Sequence, residues 1–516
     1  MKKLLAMGLC VLITLHLLGC ISSKESNNRQ ISDEEIIIGM VGGPHGFHPW
    51  MMSYDVDTMA VNGNIFNCLI EFDTNFKIIP ALAKSWNNPN DNTWRFNLRE
   101  GVKFHNGNNF TAEDVKFTIN LIKSDNASVI RELVAGITDV VVIDDLTVDI
   151  ITEKPCPILL NKLIDVFIVS KEYHTQNKSD WPIGTGAYKL VDYEMNGYVF
   201  LERFDDYWKG PPLIKRVIFK SIEEYEDRKS ALYNGTIDIS GIHPTDFEQL
   251  QLKNGIEPVT ATAPTVMYLG FDFRENGSSY IYSEENPLIN VNIRKAIYHA
   301  INISYIIKER LNDFASPASQ FVSPLIFGYN PSISRLPFDL ETARLLMEKS
   351  DFPDGFELDI NCFNSTNTIE LCNDIADMLA EINITLHIKP LGIDNYYPTL
   401  CDGNSPFFIV GWQTSSADGG EIFDFCLRSN NGTKTSSSYN YGYYSNPDID
   451  EIGLKVASTM DPKLRLALMQ EGFLIAMDDV AWIPLYTPVA LYGCNNIFDW
   501  NPGNCADYCI EKIGFK

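Results

Sequence analysis

The run EIIIGMV, residues 35–41, is apolar without interruption and short. That is the pattern of a strand buried on both faces, and the Gly- and Pro-rich GGPHGFHPW that follows ends it in a loop. TWRFNLREGVKFHNG alternates apolar and polar positions with the period of two expected of half-buried antiparallel strands. The period then changes. Thr111 precedes AEDVKFTINLI with Asp114 three residues on, which predicts a capped helix whose first-turn acid answers the exposed backbone amides. Past Pro182 alternation returns in GTGAYKLVDYEMNGYVFLERFDDYWKGPPLIKRVIFK, with Gly and Pro at the turns of a predicted meander.

From Val291, the residues Ile293, Ala296, Ile297, Ala300 and Ile301 fall at helical spacing, and a second helix is predicted from Leu340. FELDINCF reads as a strand. TIELCNDIADMLAEI then sets Ile369, Cys372, Ile375, Leu379 and Ile382 on one helical face, and ITLHIKPL is strand again. This βαβ crossover implies a separate α/β lobe. PFFIVGW is a further apolar run ending at Gly411 and Trp412, and ligands of open α/β sheets gather beyond such carboxyl ends.

At the N-terminus Lys2 and Lys3 precede an apolar run from Leu4 to Leu18. At about 15 residues the run falls short of the ~20 that span a bilayer, so it reads as an export signal. Leu17, Leu18, Gly19 and Cys20 resemble a bacterial lipobox, which implies a signal peptide over 1–19 and a diacylated Cys20 as the new N-terminus. An uncleaved signal anchor is the alternative. Residues 20–30 bury too little apolar area to offset ordering entropy and are expected to act as a flexible tether. No later segment offers about 18 consecutive apolar residues. The expected location is therefore the outer face of the cytoplasmic membrane, or the periplasm, by lipid anchor.

The 516 residues suggest roughly three domains, and 45% hydrophobic residues supply large cores. With 67 acidic against 41 basic residues the net charge is −26, which repels phosphate backbones and excludes nucleic acid as a partner. Of 11 cysteines, Cys10 lies in the signal and Cys20 in the lipobox. Cys494, Cys505 and Cys509, with Cys362, Cys372, Cys401 and Cys426, leave open disulfides that pin the C-terminal segment, in no assigned pairing. A structural zinc site finds no C-x-x-C pair to support it. N-x-S/T sequons stand at Asn126, Asn177 and Asn431. No G-x-S-x-G, H-E-x-x-H or G-x-x-x-x-G-K-[ST] is present, so a secreted hydrolase is disfavoured and no catalytic residue, metal or cofactor is expected.

IPALAKSW, TWRFNLREGVKFHNGNNFTAEDVKF, GTGAYKLVDYE, ERFDDYWKGPP, NIRKAIYHAI, FVSPLIFGYNP, FDLETARLLME, YYSNPDIDEI and AWIPLY together cover nearly the whole chain after the leader. In residues and order they resemble the extracellular solute-binding proteins of ABC importers, the large peptide/nickel-type family 5. The resemblance implies an α/β, two-lobed periplasmic-binding-protein fold, type II-like, with an extra α+β domain inserted in lobe I. Lobe I would comprise 31–60, 182–263 and 486–516, the insertion 61–181, and lobe II 264–485. Hinges are expected near Thr265–Phe271 and residues 483–486. The implied role is that of a monomeric binding lipoprotein. It would close over a small peptide or other small solute and deliver it to membrane permease subunits. An oligosaccharide or a nickel chelate is the alternative ligand, and a chemosensory receptor the alternative docking partner.

Peptide-binding members of the family carry Gly-Trp or Ala-Trp at a strand end and, three residues on, an aspartate that pairs with the peptide amino group. Here the run is Gly411, Trp412, Gln413, Thr414, Ser415, Ser416, Ala417, Asp418. Ser415 takes the aspartate's place, and Asp418 is the nearest acid. Asp418 anchors an amine if the loop with Gly419 and Gly420 turns it inward; otherwise it is a solvated carboxylate. Trp412 offers a flat apolar face, or is core, while Gln413, Thr414 and Ser415 supply orienting polar groups. Tyr268, on the crossing segment, is a further ligand-facing candidate. Gly42, Gly43, His45 and His48 fall where the resemblance puts a loop at the cleft mouth, the two histidines as surface imidazoles or as a metal pair.

Overall fold

The structure is a computed structural model that describes residues 34–51, 56–176, 181–251, 255–277, 281–430, 438–502 and 508–516. The leader, Cys20, the tether, Cys505 and the sequons at Asn177 and Asn431 lie outside the described residues.

The chain enters the fold as β1 (Glu35–Met40), followed by the helix Val56–Ile65. The insertion begins with the hairpin β2 (Ile70–Phe72) and β3 (Ile78–Pro80). It continues with β4 (Ala83–Asn90), β5 (Thr93–Leu98), β6 (Ile137–Asp144) and β7 (Thr147–Thr152), an antiparallel sheet ordered β4-β5-β7-β6. The helix Ala112–Ser124 packs on it and starts at the predicted capping box, in which the Thr111 backbone N–H donates to Asp114. The meander then gives β8 (Tyr188–Glu194), β9 (Tyr198–Arg203) and β10 (Arg216–Ser221), with β11 (Ile239–Gly241) and β12 (Ile256–Thr262) after it. Gly184 and Gly186 sit ahead of β8 because the backbone carbonyl of Ile65 fills the space that a Cβ would need at both.

The second half supplies β13 (Thr265–Phe271), β14 (Ala315–Pro317), β15 (Phe356–Phe363), β16 (Ile384–Leu391) and β17 (Phe407–Gln413), and β18 (Trp482–Asn495) returns to the first half. The main sheet runs β16-β15-β17-β13-β18-β11-β1-β10-β9-β8. Its middle is one strand. The start of β18 pairs with β13 as far as Tyr486, and its end pairs with β12 from Val489 and with β11 from Tyr492. Thr265–Phe271, expected as a hinge, is thus a full strand of the second half, and the chain crosses at residues 263–264 and between Pro488 and Val489.

Burial follows the same division. One core gathers the second half around Tyr268, Ile297, Ile360, Phe407, Phe423 and Phe473. Another joins β1 and the meander to the insertion, so lobe I and its inserted domain share one apolar interior. Apolar contacts between the halves include Phe72 and Phe76, from the β2–β3 hairpin, which pack with the second core, and Met460, from the second half, which packs against the first. Among the described residues no helix is long and apolar enough to cross a membrane. The described cysteines are free thiols, Cys494 and Cys509 included, so no disulfide among them pins the C-terminal segment.

Candidate functional site

β17 runs antiparallel to β13 with Gly411 opposite Met267 and Trp412 opposite Val266, and its burial falls away toward the carboxyl end. Position 411 is glycine because the Met267 sulfur lies 2.7 Å from where a Cβ would be. Trp412 is half-buried, edge-on to Tyr439 at 5.2 Å and tilted on Phe425 at 6.2 Å. Its indole N–H is buried and unpaired; it approaches the Glu421 carboxyl without completing a hydrogen bond to it. Gln413 and Ser415 are exposed. Thr414 is 1% exposed, and its hydroxyl also finds no partner.

Asp418 turns inward, but toward protein. Its two oxygens accept from Arg465 Nη1 and Nη2 at 2.5 and 2.7 Å, and Oδ1 also accepts from the Gly420 amide at 2.8 Å. Both partners are about 95% buried, and Arg465 is further held by the Val456 carbonyl. Neither expected state of Asp418 is the observed one: the carboxylate is not solvated, and its charge is matched by a guanidinium in bidentate geometry.

The loop holds a second acid that the sequence reading passed over. Glu421 is 9% exposed and accepts hydrogen bonds from the Ser416 amide and hydroxyl. Burial pushes its carboxyl up to about 7; the Ser416 bonds oppose that rise and the Asp418 charge adds to it. The signal available was an acid at the head of the largely apolar stretch EIFDFCL, which is an expensive place for a charge. Arg465 gave no comparable signal, since it lies 47 residues from its partner.

The remaining candidates lie elsewhere. Tyr268 is 1% exposed and stacks on Trp482 at 3.7 Å, which makes it core rather than cleft wall. The His45 backbone N–H donates to Thr58, on the first half. His48 lies against Trp50 at 5.1 Å and within electrostatic range of Asp125 and His174, both in the insertion. Among the described residues no group of three or more His, Cys, Asp or Glu is placed to hold a metal. A cavity of about 220 Å³ is lined by residues such as Gly63, Phe72, Phe167, Trp500 and Tyr508, and by none of the strand-end residues. We place the candidate site at the end of β17 because unmet buried hydrogen-bonding groups converge there.

The two sheet halves share one strand, β18, and the loop lies at the carboxyl end of β17 in the second. The chain belongs to the bacterial extracellular solute-binding proteins, family 5, whose model matches residues 77–434. It is 24% identical to the dipeptide-binding protein of Escherichia coli over 514 residues, covering 92% of this chain and 91% of that one. It is 25% identical to heme-binding protein A of Haemophilus influenzae, covering 92% of each. Its fold matches that of the ABC transporter substrate-binding protein CtaP of Listeria monocytogenes with a TM-score of 0.83 at 24% identity, over 93% of this chain and 99% of that one. Both relatives and the structural neighbour are named as binding proteins, the last of an ABC transporter.

Proposed function

We propose that the chain captures a small peptide between its lobes and hands it to an ABC permease, tethered to the outer face of the membrane through a lipid on Cys20. The observation that carries the peptide reading is the convergence of the Trp412 N–H, the Thr414 hydroxyl and the Glu421 carboxyl on one loop, with Asp418 already matched by Arg465. A peptide end offers a carbonyl for the donor and an ammonium for the acid. The dipeptide-binding relative points to the same class of ligand. Glu421 replaces Asp418 as the amine anchor in this reading, since a buried ammonium without a counter-charge forfeits several kcal/mol of hydration.

The test compares free and N-acetylated dipeptides by calorimetry on the purified globule. Free peptides should bind at least 10-fold more tightly, and Glu421→Gln should erase most of that preference. Below pH 7 Glu421 takes up a proton, so affinity for a free peptide should fall up to about tenfold per pH unit. Equal binding of both peptide forms overturns the amine anchor. Binding of a neutral oligosaccharide or a nickel chelate, with no peptide bound, overturns the peptide reading. The tether has its own test: Cys20→Ser should abolish detergent-phase partitioning, and unchanged partitioning would exclude the lipid anchor.

A further inference from the structure

The side-chain amide of Asn161 donates to the backbone carbonyl of Ser416 at 2.7 Å, across 255 residues of sequence. Asn161 lies on the short helix Leu159–Leu163 of the insertion, and Ser416 is the centre of the strand-end loop. The contact is not isolated. Lys162, the next residue, lies within electrostatic range of Asp424, and Cys156, just ahead of that helix, senses both Arg465 and Asp424. One face of the insertion thus meets the loop and the two elements that support it.

Ser416 is gripped from both sides. Its amide and hydroxyl bind Glu421 within the second half, and its carbonyl binds Asn161 from the first. The residues between Trp412 and Ser416 span the groups left without partners. When the halves part about the crossings at residues 263–264 and 488–489, the Asn161 bond must break, while those to Glu421 stay within one half. Ser416 therefore keeps its bonds within the second half in the open arrangement and loses the one from Asn161.

We infer that Asn161 is a positioning residue: its amide fixes the strand-end loop only when the inserted domain closes on the second half, and so ties the shape of the site to closure. The consequence for ligand affinity rests on the reading of that loop as ligand-contacting; the coupling itself does not. One neutral hydrogen bond biases such an equilibrium roughly 3- to 10-fold. Lys162 adds attraction toward Asp424, and the carboxylate in Asn161→Asp would oppose it.

The experiment uses the full chain without ligand, so its failure cannot be confused with a wrong ligand class. Amide hydrogen exchange is followed at residues 413–419 alongside small-angle scattering. Asn161→Ala should speed exchange at those amides by roughly 3- to 10-fold, leave β5 and β7 unchanged, and raise the radius of gyration. Asn161→Asp should do so more strongly, because it removes the donor and adds a like charge near Asp424. Unchanged loop exchange and an unchanged scattering profile in Asn161→Asp would overturn the inference. So would a variant whose only change is faster exchange throughout the insertion, which marks a fold defect.

Discussion

The loop after β1 and the loop after β17 leave strand ends in opposite halves of one sheet, each with a tryptophan in it or beside it, yet their polar groups are treated differently. In the first, the Gly42 amide donates to Asp57 at 2.7 Å, the His45 amide to Thr58, and the indole N–H of Trp50 to Asp125 at 2.8 Å. In the second, the indole N–H of Trp412 and the hydroxyl of Thr414 find no partner in the protein. A buried polar group left unmet costs about 1–3 kcal/mol, so its persistence calls for something that completes it. The first loop is a wall braced against the insertion. The second keeps its bonding capacity in reserve, which is where selectivity for a solute can reside.

The largest expected effect separates an acid of the second loop from the acid that braces the first. Asp418→Asn leaves the Arg465 guanidinium buried without its counter-charge and should destabilise the fold by about 3–5 kcal/mol. Asp125→Asn, the corresponding cut in the first loop, keeps an amide oxygen for the Trp50 N–H and should cost about 1 kcal/mol or less. Urea unfolding of both variants measures the contrast. If Asp418→Asn folds like the wild type and only loses ligand, the carboxylate faces the cleft and the comparison fails.

Glu421 comes next, and its signature is pH. Its folded value, about 7, lies above the ordinary 4.5. Its contribution to stability is therefore fully present below about 4.5 and is lost as the pH rises through 7. The difference amounts to about 3 kcal/mol. Relative to Glu421→Gln, the wild type should lose about that much between pH 4.5 and 8. Parallel stability profiles for the two proteins would mean that the carboxylate is solvated, and would remove the reason for assigning it an amine.

The part of the fold that local pattern dictates was legible in the sequence. FELDINCF, its helix and ITLHIKPL form β15, Thr366–Ala380 and β16, paired in parallel with Phe356 opposite Ile384. Cys372, Ile375 and Leu379 line the buried face of that helix, as their spacing predicts, and the capping box at Thr111 forms. What escaped depends on distant partners. Nothing local tells that the carboxylate of Asp418 will meet a residue on another helix, or that Trp482–Asn495 will serve both halves of the sheet. Tyr268 shows the same limit: alternation along β13 predicts two faces, but not which one meets Trp482. Of the strand-end segment, the sequence singled out Gly411, Trp412 and Ser415 as candidates; Glu421, whose carboxyl pKa burial raises, was not among them.

The smallest expected effect uses one substitution in both regions. Ala417 has φ +54 and is 3% exposed, its conformation fixed by its amide bond to the Thr414 carbonyl and by its own carbonyl, which accepts from Phe327. A left-handed alanine is strained by about 1–2 kcal/mol, which Ala417→Gly relieves. Against this stand the lost burial of one methyl, about 0.8 kcal/mol, and the greater freedom of glycine in the unfolded chain, about 0.4–1 kcal/mol. The terms nearly cancel, so Ala417→Gly should change stability by less than about 0.5 kcal/mol. Ala60 is equally buried but sits in the helix Val56–Ile65, where no strain is relieved, and Ala60→Gly should cost about 1.5–2 kcal/mol. Equal losses at the two positions would mean that Ala417 is not held left-handed in solution; the strand-end loop would then have another shape, and its unmatched groups another arrangement.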